Sequence, residues 1–600
     1  MPPRRPPVPY HSKKQLERLK GAVAHNYTQL KVNRKSRERF LKAASGTLFP
    51  HAREIDSGLH DILGLMRQAA EAMAMTMAAQ QPKILITPSR VAHLPFADHF
   101  ERALDRYTRT MYLGRVMQSC VRNAFYGLGV AKVHMANGAA VQIESDEWMD
   151  PGHPYVGSVS QTHFNYDTEA TDFRLCSYIS DRYYARFDDV IENKEFNGRV
   201  RRQLKTFGAQ NMAEAQQEEW GDSLSGYSSM NSQFYDMIYL ADVFCPKEGV
   251  VYTYPVDAQY NFITDDPLMD LEWDGSETGP YFTLNLGPIP DKTTPSAPAQ
   301  NLYLLHNLIN TIYRKLRDQV DRQKNLVIGR KGGEDDLDEV LNLEDGEGAT
   351  LNEPESITQL NMDGPNQSNF AFGLNAMQQF SKQAGNLELK TGTGAQADTA
   401  AQEGMLAQGV GRMESGYQSM FHEFAKDVIK QLGKLLFLDN VTEVPMTQQI
   451  EGTDISYDDD WQGALQENSR VGDIIDYDVD ILYGSMEYRS ARDRLRDVDE
   501  TWDRVMAVAP LVMQSGGIPN IQEYLNIRAK YTSTPEIGRL FQWNQIPPEE
   551  QQGGSHERQG PAGQGGEYIH KSVPSGQSNG TENEAVGAMM AGAANNSDSM

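Results

Sequence analysis

Residues 386–408 read NLELKTGTGAQADTAAQEGMLAQ. Gly392, Gly394 and Ala397 stand in the order G-x-G-x-x-A, after an apolar stretch and before a helical pattern. Two readings compete. In one, the glycines form a phosphate turn that sets a pyrophosphate against a helix N-terminus, and the chain is a nicotinamide or flavin enzyme. In the other, they bend a loop between two helices of a structural assembly. The flanking sequence has to decide.

A dinucleotide unit needs a strand, the turn, a helix and a second parallel strand within about 30 residues. Here only NLELK can be the strand, and a helix precedes it. Asp398 or Thr399 caps a helix that runs to about 437, with a stripe of Leu406, Val410, Met413, Tyr417, Met420, Phe424 and Val428. No prompt apolar strand follows. Gly404, Gly409, Gly411 and Gly416 interrupt the stripe, and each costs up to about 1 kcal/mol in a helix interior, so a bend is expected near 409–411. This context weighs against a nucleotide site.

Upstream, the pattern predicts a helix over 366–384. Before it, 326–362 is acidic and turn-rich, and reads as a small β-rich insertion. Before that, NLYLLHNLINTIYRKLRDQVDRQKNLVIGR (301–330) opens with an amphipathic helix carrying Leu302, Leu305, Ile309, Ile312, Leu316 and Val320. Its second half is crowded with Arg314, Lys315, Arg317, Arg322 and Lys324.

Residues 47–298 read as a mixed α/β domain. HLPFADHFERALDRYTRTMYLGRVMQSCVRNAFYGLG (93–129) predicts one or two helices striped by Leu104, Tyr107, Met111, Val116, Cys120 and Phe125. Strand-like segments follow, GVAKVHMANG, MIYLADVFCP and GVVYTYPV, with a polar helical patch at 208–222. IIDYDVDILYG (474–484) predicts a strand with Ile475, Tyr477, Val479 and Ile481 on one face and Asp476, Asp478 and Asp480 on the other. A helical region over 487–545 is divided by Pro510 and a GGIPN turn. From 546 the Gly, Gln, Ser, Asn and Pro content predicts disorder. The proline-rich residues 1–10 read the same way.

Six hundred residues predict three or four units. Hydrophobic content of 39%, charged content of 23% and a mean hydropathy of −0.57 fit a globular chain. No apolar run approaches a membrane span, and MPPRRPPVPY lacks the apolar core of a secretory signal. The three cysteines, Cys120, Cys176 and Cys245, are far apart, which argues against a zinc ribbon or a disulfide scaffold and predicts plain buried thiols. The formal charge is −26, yet residues 1–46 hold twelve Lys/Arg against Glu17 and Glu38. A basic arm on an acidic body points to an anionic partner, nucleic acid or acidic protein, for the arm, and makes the body a poor general DNA binder.

No motif assembles a catalytic constellation. Gly576, Ser578 and Gly580 spell G-x-S-x-G, but in the tail, where no strand-to-helix elbow can form. The acids Asp335/Asp336/Asp338/Glu339 and Asp458/Asp459/Asp460 read as solvated loops rather than cation sites. No cofactor, metal or catalytic residue is expected.

The order of parts resembles the portal proteins of tailed bacteriophages. The segment GNLELKTGTGAQADTAAQEGMLAQGVGRMESGYQSMFHEFAKDVIKQLGKLL (385–436) is similar to the portal tunnel loop and its long kinked helix, whose start often carries T-A-x-E. Thr399, Ala400, Ala401, Gln402 and Glu403 approximate that motif with one extra residue. GPYFTLNLGPIPDKTTPSAPAQNLYLLHNLIN (279–310) is similar to the approach to the portal stem. The resemblance covers about 47–545.

It implies a mixed α+β fold with these parts: a basic N-terminal arm, 1–46; a wing, 47–298 with 399–486; stem helices, 299–325 and 366–384; a clip, 326–365; a tunnel loop, 385–398; a helical crown, 487–545; and a tail, 546–600. It implies a ring, usually of twelve subunits, at one capsid vertex of the virion, assembled in the host cytoplasm. Double-stranded viral DNA is packaged through such a ring by the terminase large subunit and later ejected. Head–tail adaptor, major capsid and scaffolding proteins are the other implied partners, and no membrane is. By position, Lys390, Thr391, Gly392, Thr393, Gly394 and Gln396 would face the channel, with Lys390 nearest phosphate. Arg314, Lys315, Arg317, Arg322 and Lys324 would line the channel or pair between subunits. The alternatives are another head–tail connector or virion structural protein, and a nucleotide enzyme built on 392–397.

Overall fold

The computed structural model describes residues 13–45, 54–56, 59–60, 63–136, 141–144, 147–149, 152–204, 237–257, 259–323, 325–329, 331, 334–343, 348, 350, 357–361, 366–385, 400–439, 442–449, 456–462, 471–482, 485–486, 491–514, 521, 524–525 and 528. The chain divides into two compact units, residues 1–490 and 491–600. The fold is mixed α+β, and every strand pairing among the described residues is antiparallel.

The N-terminal basic segment does not stand off as an arm. Residues 13–45 form two helices, α1 (Lys13–Gln29) and α2 (Lys31–Ser45). Val23, Leu30, Phe40 and Ala43 are buried in the body. Lys20 reaches Asp265 at 2.7 Å, and Arg37 donates to Asn123 at 3.1 Å. Burial of these four apolar side chains outweighs the solubility of the exposed cations around them.

The main core is built by α3 (Leu65–Ala78), α4 (Leu94–Thr110) and α5 (Leu113–Tyr126). In α3, Met66, Ala69, Ala70, Met73, Ala74 and Met77 repeat at helical spacing, and the alanines let α5 approach closely. The 93–129 stretch is therefore two helices, joined where Tyr112 takes a left-handed backbone conformation. The strand Gly129–Ala136 lies against α5 so tightly that a Cβ on Gly129 would sit 2.4 Å from the Cys120 carbonyl oxygen. It is the middle of a three-stranded sheet, between Tyr281–Leu284 and His153–Val159. A five-stranded sheet orders Met269–Glu272, Val250–Val256, Met237–Cys245, Ile179–Arg186 and Phe164–Tyr166. All three cysteines are buried thiols, as their spacing led us to expect.

A helical pair leaves this core. The first stalk helix is Pro298–Arg322, with proline in its first turn, where a missing N–H costs nothing. The second is Gln367–Gln383, capped by Asn366, whose side chain accepts from Ser368 and Asn369. The Asn366 N–H donates to Gln319 at 3.1 Å, and Gly373 packs on Ile312, so the pair runs antiparallel. The strands Asn325–Gly329 and Ile357–Asn361 pair beyond it. The insertion is not simply β-rich, because Glu334–Leu341 between the strands is a helix.

The long helix, Ala400–Leu438, is unbroken across Gly404, Gly409, Gly411 and Gly416. Its buried face is Phe421, Phe424, Ala425, Val428, Ile429 and Leu432; of the expected stripe Phe424 and Val428 are buried and Tyr417 packs on the core, Met420 is exposed, and the side chains of Leu406, Val410 and Met413 lie outside the described residues. The strand at 474–484 is shorter than expected. Ile474–Asp476 is a 3₁₀ turn that leaves Ile475 89% exposed, and only Tyr477, Val479 and Ile481 face the core. The acids Asp458–Asp460 lie on a strand paired with Pro445–Thr447, not on a loop. In the second unit, Ala491–Gln514 is one helix that continues past Pro510. The expected features at 1–10, 208–222, 385–398 beyond Gly385, the GGIPN turn at 516–520 and 546–600 lie outside the described residues.

Candidate functional site

The stalk is fixed at its base by two buried polar side chains on one face of its first helix. His306 meets the Ala43 carbonyl at 3.2 Å. Asn310 accepts from the Leu63 N–H at 2.7 Å and donates to the Leu63 carbonyl at 3.3 Å. Both residues are fully buried, and burial holds the His306 imidazole below its ordinary pKa. A neutral imidazole and a hydrogen-bonded amide there clamp Ala43 and Leu63 to the helix without burying a charge.

The opposite face of the same helix is open. Leu304, Leu308, Thr311, Lys315 and Arg322 follow one another at intervals of four, three, four and seven, which aligns them on a single face. Leu304 is 74% exposed and Leu308 39%. The second stalk helix exposes Phe370 and Phe372, at 54% and 55%, and Leu374. Large apolar groups therefore sit in water on both helices, which is the condition of a surface that awaits a partner.

The five cations singled out on this helix separate into groups. Lys315 and Arg322 are exposed on the open face, two turns or about 10 Å apart, with no ion-pair partner among the described residues. Arg314 turns back onto its own helix, donating to the Asn310 carbonyl at 3.2 Å. Arg317 lies beside Asp318 at 3.5 Å. Lys324 and the loop residues Lys390, Thr391, Gly392, Thr393, Gly394 and Gln396 lie outside the described residues. The helix after that loop leads into the antiparallel strands Glu443–Gln449 and Ser456–Gln462, so no described parallel strand completes a dinucleotide unit.

One polar centre has no signature in the sequence. Lys132, buried, donates to Asp181 at 2.7 Å and Asp242 at 2.6 Å. Tyr281 donates to Asp181 at 2.5 Å, and Thr253 to Asp242 at 2.7 Å. Burial disfavours the Lys132 cation, but the two carboxylates outweigh it and hold its pKa above the ordinary lysine range. Burial pushes Asp181 up against the pull of Lys132. Lys132 belongs to the three-stranded sheet and both acids to the five-stranded sheet, so this centre bolts the two sheets together. Neighbouring His134 is pushed down to about 4, by burial first and by the Lys132 charge second.

A cleft of about 910 Å³ lies elsewhere on the body, walled by Arg174, Glu277, Thr283, Asp427, Lys430 and Tyr477. Its charges are mixed, and burial raises the Asp427 carboxyl.

No protein-family model matches the chain, and no curated protein matches it. The class is set by the fold: a mixed α+β protein with an antiparallel helical stalk. No helix among its described residues is long and apolar enough to cross a membrane.

Proposed function

We propose that this chain is the subunit of a portal-type ring, a conduit for double-stranded DNA at a capsid vertex. One observation carries the reading: the stalk is a helix pair whose outer faces expose Leu304, Leu308, Phe370 and Phe372. Such a pair is a poor monomer surface and a good wall segment, because each stalk can bury its apolar face on the next. The order of parts supports it. Body, rising helix, strand-and-helix insertion, returning helix, glycine loop, long helix and terminal helix follow in the sequence of a portal wing, stem, clip, tunnel loop and crown.

In this reading the ring does no chemistry of its own. Lys315, Arg322 and Lys390 meet phosphate or a neighbouring subunit, and the acidic remainder keeps DNA sliding rather than bound. The insertion at 325–361 meets the terminase large subunit during packaging and a head–tail adaptor afterwards. Capsid and scaffolding proteins surround the body.

Sedimentation velocity of the full chain and of L304E/F372E tests the reading. Wild-type protein should sediment as one large species, and the variant as a folded monomer, since both sites are exposed in the single chain. Equal sedimentation of the two would refute a stalk-walled ring.

A further inference from the structure

Helix α2 carries three of its cations on the side away from its packed face. Arg37, Phe40 and Ala43 point into the body, and Lys31, Lys35 and Arg39 point out. The three recur every four residues, so they stand about 6 Å apart along the axis. None has a carboxylate partner among the described residues. The nearby acids are already engaged, Glu38 with Lys42 and Glu71 with Arg122. The packing of α1 and α2 fixes this positive face in place on a chain of net charge −26.

We propose that the face formed by Lys31, Lys35 and Arg39 is a subunit-docking surface, covered in the assembly by the acidic surface of a second copy. The proposal rests on the ring reading and assigns to this face the electrostatic half of the contact. Charge complementarity selects the occupant. Residues 1–46 carry an excess of ten positive charges, so every copy also presents a large acidic surplus elsewhere. A head-to-tail contact joins unlike surfaces, and each copy then acts once as the basic and once as the acidic partner. A DNA duplex fits less well. Its charge continues past a face only two to three turns long and over an acidic body that repels it.

The test mixes isotopically light and heavy full-length chains, confirms assembly by sedimentation, and applies a carbodiimide that joins amines to carboxylates in direct contact. Lys31 and Lys35 should be recovered joined to carboxylates of the other isotope. K31E/K35E/R39E should raise the concentration for half-assembly about tenfold, from three exposed pairs of ordinary strength, with the thermal midpoint of the monomer unchanged. Assembled rings whose Lys31 and Lys35 links join only like isotopes would overturn the proposal and leave the ring reading standing. So would normal assembly of the triple variant. Normal assembly with lost retention of a short DNA duplex would reassign the face to nucleic acid, which also overturns it. Wild-type protein that stays monomeric before cross-linking defeats the ring reading itself, and this proposal with it.

Discussion

Replacing Lys132 by methionine removes the positive charge that Asp181 and Asp242 share at the junction of the two sheets. Methionine keeps the length and apolar volume of the side chain, so the loss is electrostatic and not a cavity. Asp181 is then left 5% exposed with no counter-ion, beside Asp242. Breaking a buried pair by removing one partner costs about 3–5 kcal/mol. Hydrogen exchange of peptides covering 179–186 and 237–245 reads that cost locally, as a protection loss of about two to three and a half orders of magnitude. The pH dependence has a definite sign. Without the ammonium, nothing charged opposes the burial that already raises Asp181. A carboxyl raised in the folded state contributes its stability below the ordinary carboxylate pKa, near 4, and loses it as pH rises through the folded value. The gap between wild type and K132M should therefore be widest at neutral pH and narrow toward about pH 4. A protection loss under about tenfold, or a gap that widens on acidification, would refute the assignment of this centre as a buried charge bolt.

Other consequences follow from single contacts. His134 is depressed to about 4, so its contribution is present above its ordinary pKa of about 6.5 and is lost as pH falls through about 4. H134Q should lose less stability than wild type over that window, by at most about 3 kcal/mol, in denaturant titrations at stepped pH; parallel curves would contradict this. N310A leaves the Leu63 N–H without its acceptor, while the Leu63 carbonyl keeps the Leu65 N–H at 2.9 Å, at a cost of about 1–3 kcal/mol. Exchange at residues 63–66 should quicken while the five-stranded sheet is unaffected, and unchanged exchange there would remove Asn310 from the clamp. G129A must displace the Cys120 carbonyl, which a Cβ would meet at 2.4 Å. Its thermal midpoint should fall by several degrees, and an unchanged midpoint would contradict the tight packing of α5 on that strand.

The helices that carry the argument were legible because their apolar residues repeat at helical spacing. Leu302 and Ile309 mark the buried face of the first stalk helix in sequence and in structure. The helix at 334–341 was missed, although Leu337, Val340 and Leu341 stand at helical intervals behind an acidic first turn; acidity was read as a loop signal. The basic segment was read as an arm because twelve cations in 1–46 mask the four apolar residues that dock it. Ile475 looked like a core residue by alternation, but a 3₁₀ turn breaks the period of two just before the strand. Pro510 looked like a divider, yet the helix continues to Gln514. The Lys132 centre could not be read at all. Its members are 49 and 110 residues apart along the chain, and only sheet packing brings them together. Of the candidate site, the sequence located the stalk cations but not their directions. Spacing alone puts Lys315 and Arg322 on one face with Leu304, but that Arg314 turns back to the Asn310 carbonyl and Arg317 lies beside Asp318 shows only in the side-chain contacts.

Electron microscopy of the purified full-length chain, with its native mass, tests the central claim most directly. The account predicts a closed ring with a central channel and a mass near ~800 kDa, about twelve copies of a 67.2 kDa chain. A particle that remains a monomer or dimer at high concentration, with no ring at any salt, would contradict it.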